Sequence, residues 1–181
     1  MDEGHHPVRR IVIKGTSGVG KTTLCEAVSA RLGVPFIELD ALHHGPNWAE
    51  PPLEVFRERV RKAMNAAPDG WVIDGNYDSK LGNLVTDAAE QIVWLDLPLY
   101  VTMRRLWGRT MRRIVRRTEL WNGNRETWRD QFASRNSIFF WTVKAHRKHQ
   151  REWPARFAGD SRVVRLRSAK EVDAWLDSLP A

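Results

Sequence analysis

The sequence predicts an α/β fold, a mainly parallel β-sheet with helices packed against it. Three observations predict it. Short apolar segments alternate with longer amphipathic ones along the chain. The segments Val8–Lys14, Trp71–Asp74 and Ile92–Asp96 are apolar through both faces, as strands covered by helices on either side must be. A glycine-rich run, Gly15-Thr-Ser-Gly-Val-Gly-Lys-Thr22, separates the first of these from a helical stretch.

In chain order, Val8–Lys14 is the first strand, with Ile11, Val12 and Ile13 nearly continuous. Lys21–Leu32 has helical spacing, with Leu24, Ala27, Val28 and Leu32 on one face and Gly33 as its stop. Phe36–Asp40 is the second strand. Gly45–Pro52 is a loop inside the domain. Leu53, Phe56, Val60 and Met64 form a helical stripe. The turn Pro68-Asp69-Gly70 leads into the third strand, Trp71–Asp74. Ile92–Asp96 is the fourth strand, stopped by Pro98. Helical material fills most of Tyr100–Trp153, broken near Trp121–Asn124, with Phe132 and Ile138–Trp141 seating it. Arg162–Leu166 is the fifth strand, and a last helix carries Val172, Trp175, Leu176 and Leu179.

The chain has 181 residues, one domain's worth, and residues 1–181 read as a single unit. With 42% hydrophobic and 28% charged residues, it has the composition of a folded protein. One cysteine, Cys25, excludes a disulfide framework; it reads as a small buried hydrophobe in a reducing compartment, so a cytoplasmic location is expected. No apolar run approaches the roughly 18 residues a membrane span needs, and Met1–Pro7 lacks the apolar core of a signal peptide.

The net charge is +7, from 29 basic and 22 acidic residues. Seven arginines and no acid lie between Arg104 and Arg117: Arg104, Arg105, Arg109, Arg112, Arg113, Arg116 and Arg117. At three- to four-residue spacing several of them share a helix face. So many like charges on one face call for an anion opposite. A nucleotide triphosphate is the first reading; a nucleic-acid backbone, with ATP as a switch, is the alternative, and a slow ATPase switch is a third.

The glycine-rich run matches G-x-x-x-x-G-K-[ST] in full, between a strand and a helix. Its glycines let backbone N–H groups turn inward onto phosphate oxygens, and the helix adds its positive end. Gly15, Thr16, Ser17, Gly18, Val19, Gly20, Lys21, Thr22 and Thr23 are therefore the expected nucleotide contacts. Lys21 would reach the β- and γ-phosphates, and Thr22 would ligate Mg²⁺. A guanine-reading N-K-x-D sequence is absent, which argues against a regulatory GTPase, and the chain is short for a motor ATPase. ATP and Mg²⁺ are the expected ligands, with a small-molecule phosphate acceptor and a monomer or homodimer.

Three segments together resemble the nucleoside-monophosphate-kinase group, which includes adenylate, shikimate and gluconate kinases. They are the glycine-rich run, Gly70-Trp-Val-Ile-Asp-Gly75, and Ile92-Val-Trp-Leu-Asp-Leu-Pro98 followed by Arg105-Leu-Trp-Gly-Arg109. Asp74-Gly75-Asn76-Tyr77, with the Trp48 loop before it, is similar to small P-loop kinases known as DNA topology modulation proteins. The resemblance covers about residues 8–180. It implies a three-layer fold with a five-stranded parallel sheet in order 2-3-1-4-5, an acceptor-binding insertion at about 41–67 and an arginine-rich helical lid at about 105–130. It implies that Arg105 lines the adenine site, that Arg109 contacts the transferring phosphates, that Asp74 holds Mg²⁺ and that Asp40 meets the acceptor hydroxyl. His43, Trp48, Arg57, Asn76 and Tyr77 complete the expected acceptor site. The sequence departs from adenylate kinases at Asp78, an acid where they carry a phosphate-gripping arginine; it is expected to repel an acceptor monophosphate unless another cation replaces that arginine.

Overall fold

A computed structural model of the protein describes residues 8–116, 120, 122 and 137–180. Trp121, Trp128 and Phe132 lie outside the described residues.

Strand β1 (Arg10–Lys14) leads through the glycine-rich loop into helix α1 (Lys21–Leu32). Gly33 ends α1 at φ +64, its N–H on the Ser29 carbonyl. Strand β2 (Phe36–Glu38) is followed by a short helix α2 (Leu39–His43), a 3-10 turn at Pro46–Trp48 and helix α3 (Leu53–Asn65). Strand β3 (Trp71–Asp74) gives way to two short helices, α4 (Asp78–Leu81) and α5 (Leu84–Ala88). Strand β4 (Gln91–Leu95) precedes the long helix α6 (Leu99–Val115). Helix α7 (Ile138–Arg156), strand β5 (Val163–Leu166) and helix α8 (Ala169–Ser178) complete the described chain.

The sheet is entirely parallel, in the order β2-β3-β1-β4-β5. Both faces of β1 are covered. Ile11 and Ile13 pack with Val28 of α1 and Trp175 of α8; Val12 packs the other way, with Phe56 and Val60 of α3. Trp71, Trp94 and Trp175 are buried as expected, and so is Cys25. Among the described residues, no helix is long and apolar enough to cross a membrane.

The structure corrects two expectations. The second strand ends at Glu38, because Leu39 turns inward to the core and opens α2; Asp40 is thus a helical residue, not a strand end. Phe140 and Trp141 do not seat the long helix: they are mostly exposed, while Thr142 and Trp153 are the buried positions of α7.

The strand register brings the chemical groups together. Ile13 lies beside Asp74, Glu38 beside Asp74 from the other side, and Lys14 beside Trp94. The carboxyl ends of β2, β3 and β1 therefore converge where the glycine-rich loop begins, the edge where open parallel sheets hold their ligands.

Candidate active site

The glycine-rich loop needs its glycines. Gly18 sits at φ +82, and a Cβ there would meet the Leu106 Cβ of α6 at 2.7 Å. Gly20 sits at φ +111 and caps α1 without any side-chain bond, so the first-turn N–H groups of α1 stay available to an anion. Lys21 Nζ folds back onto the Thr16 carbonyl at 3.3 Å. Burial lowers its pKa, while Asp74 and Asp40 pull the other way and Arg109 adds to the lowering.

Beside the loop lies a cavity of about 790 Å³, bounded by Gly18–Leu24, by α6 and by Val172, Asp173 and Leu176 of α8. Arg104, Arg105, Arg109, Arg112 and Arg113 all line it. The basic segment thus faces a concavity beside the phosphate loop. Arg105 Nη1 donates to the Val19 carbonyl at 2.8 Å, bracing the loop as well as lining the cavity.

The turn after β3 organises the rest. Thr22 Oγ1 donates to Asp74 Oδ2 at 3.0 Å. Burial pushes the Asp74 carboxyl up and Asp40 adds to this, while Lys21 and the Thr22 bond draw it down. A hydroxyl beside a carboxylate at a phosphate loop suits Mg²⁺, which keeps waters and phosphate oxygens and needs few protein ligands. Among the described residues, no cluster of three or more His, Cys, Asp or Glu forms a protein-only metal cage. Two residues on, the Asn76 amide pairs both ways with Gly15: Nδ2 donates to the Gly15 carbonyl at 2.6 Å, and the Gly15 N–H donates to Oδ1 at 3.3 Å. Asn76, an expected acceptor contact, thereby pins the start of the phosphate loop. Tyr77 Oη then donates to Asp40 Oδ1 at 2.6 Å and stands 3.5 Å from His44 Nε2. Buried beside two acids, the Tyr77 hydroxyl is held far above its usual range, so it acts as a fixed donor.

The other expected acceptor residues fall in three places. His43 is 2% exposed, packed on Phe56 and Tyr77, with Nε2 2.6 Å from Lys80 Nζ; it forms the floor of this region. Arg57 is spent on structure, donating to the Lys80 carbonyl and to Glu54. Trp48 is exposed, edge-to-face with His44 at 5.3 Å.

Asp78 has cations beside it. Lys14 Nζ lies 2.7 Å from its Oδ1, and Arg156 Nη1 lies 3.0 Å from its Oδ2. Burial alone would raise its carboxyl, but the two cations hold it below its ordinary value. Its charge is answered inside the protein. Asp96 is likewise tied, to Arg165 and Gln150.

His149 of α7 faces this cluster, although no motif in the sequence marks it. Its ring stacks on Trp153 at 3.7 Å, and burial, with Lys21 and Lys14 nearby, lowers its pKa to about 4. The unfolded chain would protonate it near pH 6.5. A base with a depressed folded pKa binds its proton better when unfolded, so stability falls as pH drops from about 6.5 toward about 4. His149→Phe keeps the stack and is expected to flatten that fall. Urea midpoints at about pH 7, 5.5 and 4.5, bracketing that window, check it; parallel wild-type and variant curves would refute it.

Residues 11–129 match a family model described as an AAA domain. An uncharacterized AAA domain-containing protein of Schizosaccharomyces pombe is 35% identical over 71 residues, 39% of this chain, and the chain spans only 9% of that protein's length. A shikimate kinase from Bacteroides thetaiotaomicron superposes with a TM-score of 0.52 at 19% identity, over 94% of this chain and 95% of its own. A sugar kinase from Janibacter sp. HTCC2649 superposes with a TM-score of 0.55 at 16% identity, over 94% of each. These two likenesses show the fold: the five-stranded parallel sheet in order 2-3-1-4-5 is that of P-loop kinases.

Proposed function

The chain belongs to the AAA domain family, and from that premise we propose that it is a single-domain, ATP- and Mg²⁺-dependent phosphotransferase acting on a hydroxyl of a small acceptor. The observation that carries the reading is the pair of acids flanking Lys21. Asp74 meets the hydroxyl of the phosphate-loop Thr22, and Asp40 is held on the far side by Tyr77. One acid belongs to the donor half and the other faces an acceptor.

Bound Mg-ATP supplies the phosphoryl group and the charge neutralisation of its own β- and γ-oxygens. The chain does the remainder. The α1 N-terminus and loop amides take phosphate oxygens; Lys21 leaves the Thr16 carbonyl to meet the γ-phosphate; Arg109 joins it from α6. Thr22 and Asp74 would hold the metal. Asp40 takes the proton from the acceptor hydroxyl as its oxygen bonds phosphorus and the bond to the ADP oxygen breaks. Tyr77 keeps one Asp40 oxygen occupied, so the other is presented to the acceptor.

The acceptor is uncharged in this reading. Among the described residues, the cations on its side of the site already have partners: Lys80 pairs with Glu50, Arg57 with Glu54, and Lys14 and Arg156 with Asp78, while Arg59 donates to the Leu42 carbonyl.

The test is ADP release from Mg-ATP with a panel of hydroxyl compounds, nucleosides and nucleotides. Acceptor-dependent release is expected, and Asp40→Asn should lower it by roughly a thousandfold, the scale of a lost general base. A variant with near-normal turnover would remove Asp40 from the chemistry, and no acceptor effect at all would remove the kinase reading.

A further inference from the structure

His149 lies on α7 one turn before Trp153, and its ring stacks on that indole with centroids 3.7 Å apart and planes 16° apart. Trp153 is itself fixed: it is buried and stands edge-on to Trp94 at 5.3 Å and to Phe157 at 5.7 Å. The imidazole is therefore held in one plane before anything binds.

Its two nitrogens are in different surroundings. Nδ1 is buried and, among the described residues, has no hydrogen-bond partner. A buried N–H without an acceptor is costlier than a bare lone pair, so the proton of the neutral ring belongs on Nε2. An imidazolium would carry a donor at both positions and would strand the one at Nδ1. Burial first, and the cations next, keep the ring neutral down to about pH 4. His149 is thus a fixed N–H donor that brings no charge of its own.

The ring faces the phosphate loop. Among the charges acting on it, Lys21 comes first, ahead of Asp78, Lys14 and Lys148 of its own helix. Asp78, the acid of that group, is bonded to Lys14 and Arg156 rather than to the ring. A donor without an acceptor, set among cations, is arranged for an anion.

We propose that His149 is a further catalytic residue of the nucleotide site, donating its Nε2–H to an oxygen of the γ-phosphoryl group that Lys21 also meets. A neutral donor orients that group without adding another cation to Lys21, Lys14 and the arginines of α6. The proton stays on the nitrogen throughout. This rests on the phosphotransferase reading only as far as the binding of Mg-ATP.

The test is calorimetric binding of Mg-ADP and of Mg-AMP-PNP, an ATP analogue that resists hydrolysis, to the full chain above the range in which histidine titrates. His149→Phe keeps the stack on Trp153 and removes the N–H. His149→Gln sets an amide N–H near the position of Nε2, and His149→Asn sets one near that of Nδ1. Matching melting curves establish that the variants are folded. His149→Phe is expected to weaken AMP-PNP by roughly tenfold to a hundredfold, the scale of one hydrogen bond to a charged group, and ADP by less than about twofold. His149→Gln should recover most of that loss and His149→Asn little of it. Equal weakening of both nucleotides would make His149 a structural support, and unchanged AMP-PNP binding in His149→Phe would remove it from the site. Asparagine recovering as much as glutamine would overturn the assignment to Nε2. Each of these results leaves the phosphotransferase reading standing. No binding of either nucleotide to the wild type would count against both.

Discussion

Lys21→Ala is expected to lower kcat/KM for phosphoryl transfer by about a hundredfold to a thousandfold while the protein stays folded. The size is that of removing one preorganised charge from a developing transition state. The fold should survive because Lys21 contributes little to it: the ammonium is desolvated, and it is held by a long bond to the Thr16 carbonyl at 3.3 Å. Removing a desolvated cation relieves a cost, so the melting temperature should hold or rise. Initial rates and a melting curve on the same preparation check both halves. Full activity in the variant would show that the arginines of α6 suffice. A large loss of stability would show that Lys21 is structural.

Asp78→Ala is expected to destabilise the protein by about 3–5 kcal/mol, the cost of stranding a buried charge. The Lys14 side chain is only 3% exposed and would lose its carboxylate; Arg156 would lose the ion pair that ties α7 to α4. The sign with pH follows from the depressed Asp78 carboxyl. The contribution is present above its ordinary value of 3.8 and is lost as pH falls through the lower folded value. Lys14→Met added to Asp78→Ala should recover most of the loss, since an apolar side chain of similar length then fills the site. Urea denaturation of the four-protein cycle measures it. A single-variant cost below about 1 kcal/mol would mean that Lys14 swings out to water.

These two residues show how unevenly the site is legible in the sequence. Lys21 is announced by its motif, and its strand–loop–helix setting is a local pattern of apolar spacing and glycine. The α1 boundaries, Lys21 and Leu32, match the structure for the same reason. Asp78 stands out in the sequence as a departure, but its effect does not. Its partners are 64 and 78 residues away in sequence, and no local pattern announces such a pairing. Asn76 is the same kind of case: an amide in a turn reads as a ligand group, whereas its bonds go to Gly15, 61 residues back. The second strand reads two residues too long because the inward-turning Leu39 keeps the apolar run going after the backbone has left the sheet.

The four consecutive residues Asp74–Tyr77 reach Thr22, Gly15 and Asp40 in turn. A single insertion or deletion there would put every one of those contacts out of register together. The loop from Gly45 to Pro52 has the opposite character: among the described residues, none of its hydrogen bonds goes to the phosphate loop. The molecule therefore separates what must be inherited intact from what is free to drift. On the phosphotransferase reading proposed above, a laboratory library confined to residues 45–52 would vary this surface loop while leaving the bonds of the Asp74–Tyr77 turn in every member as they are.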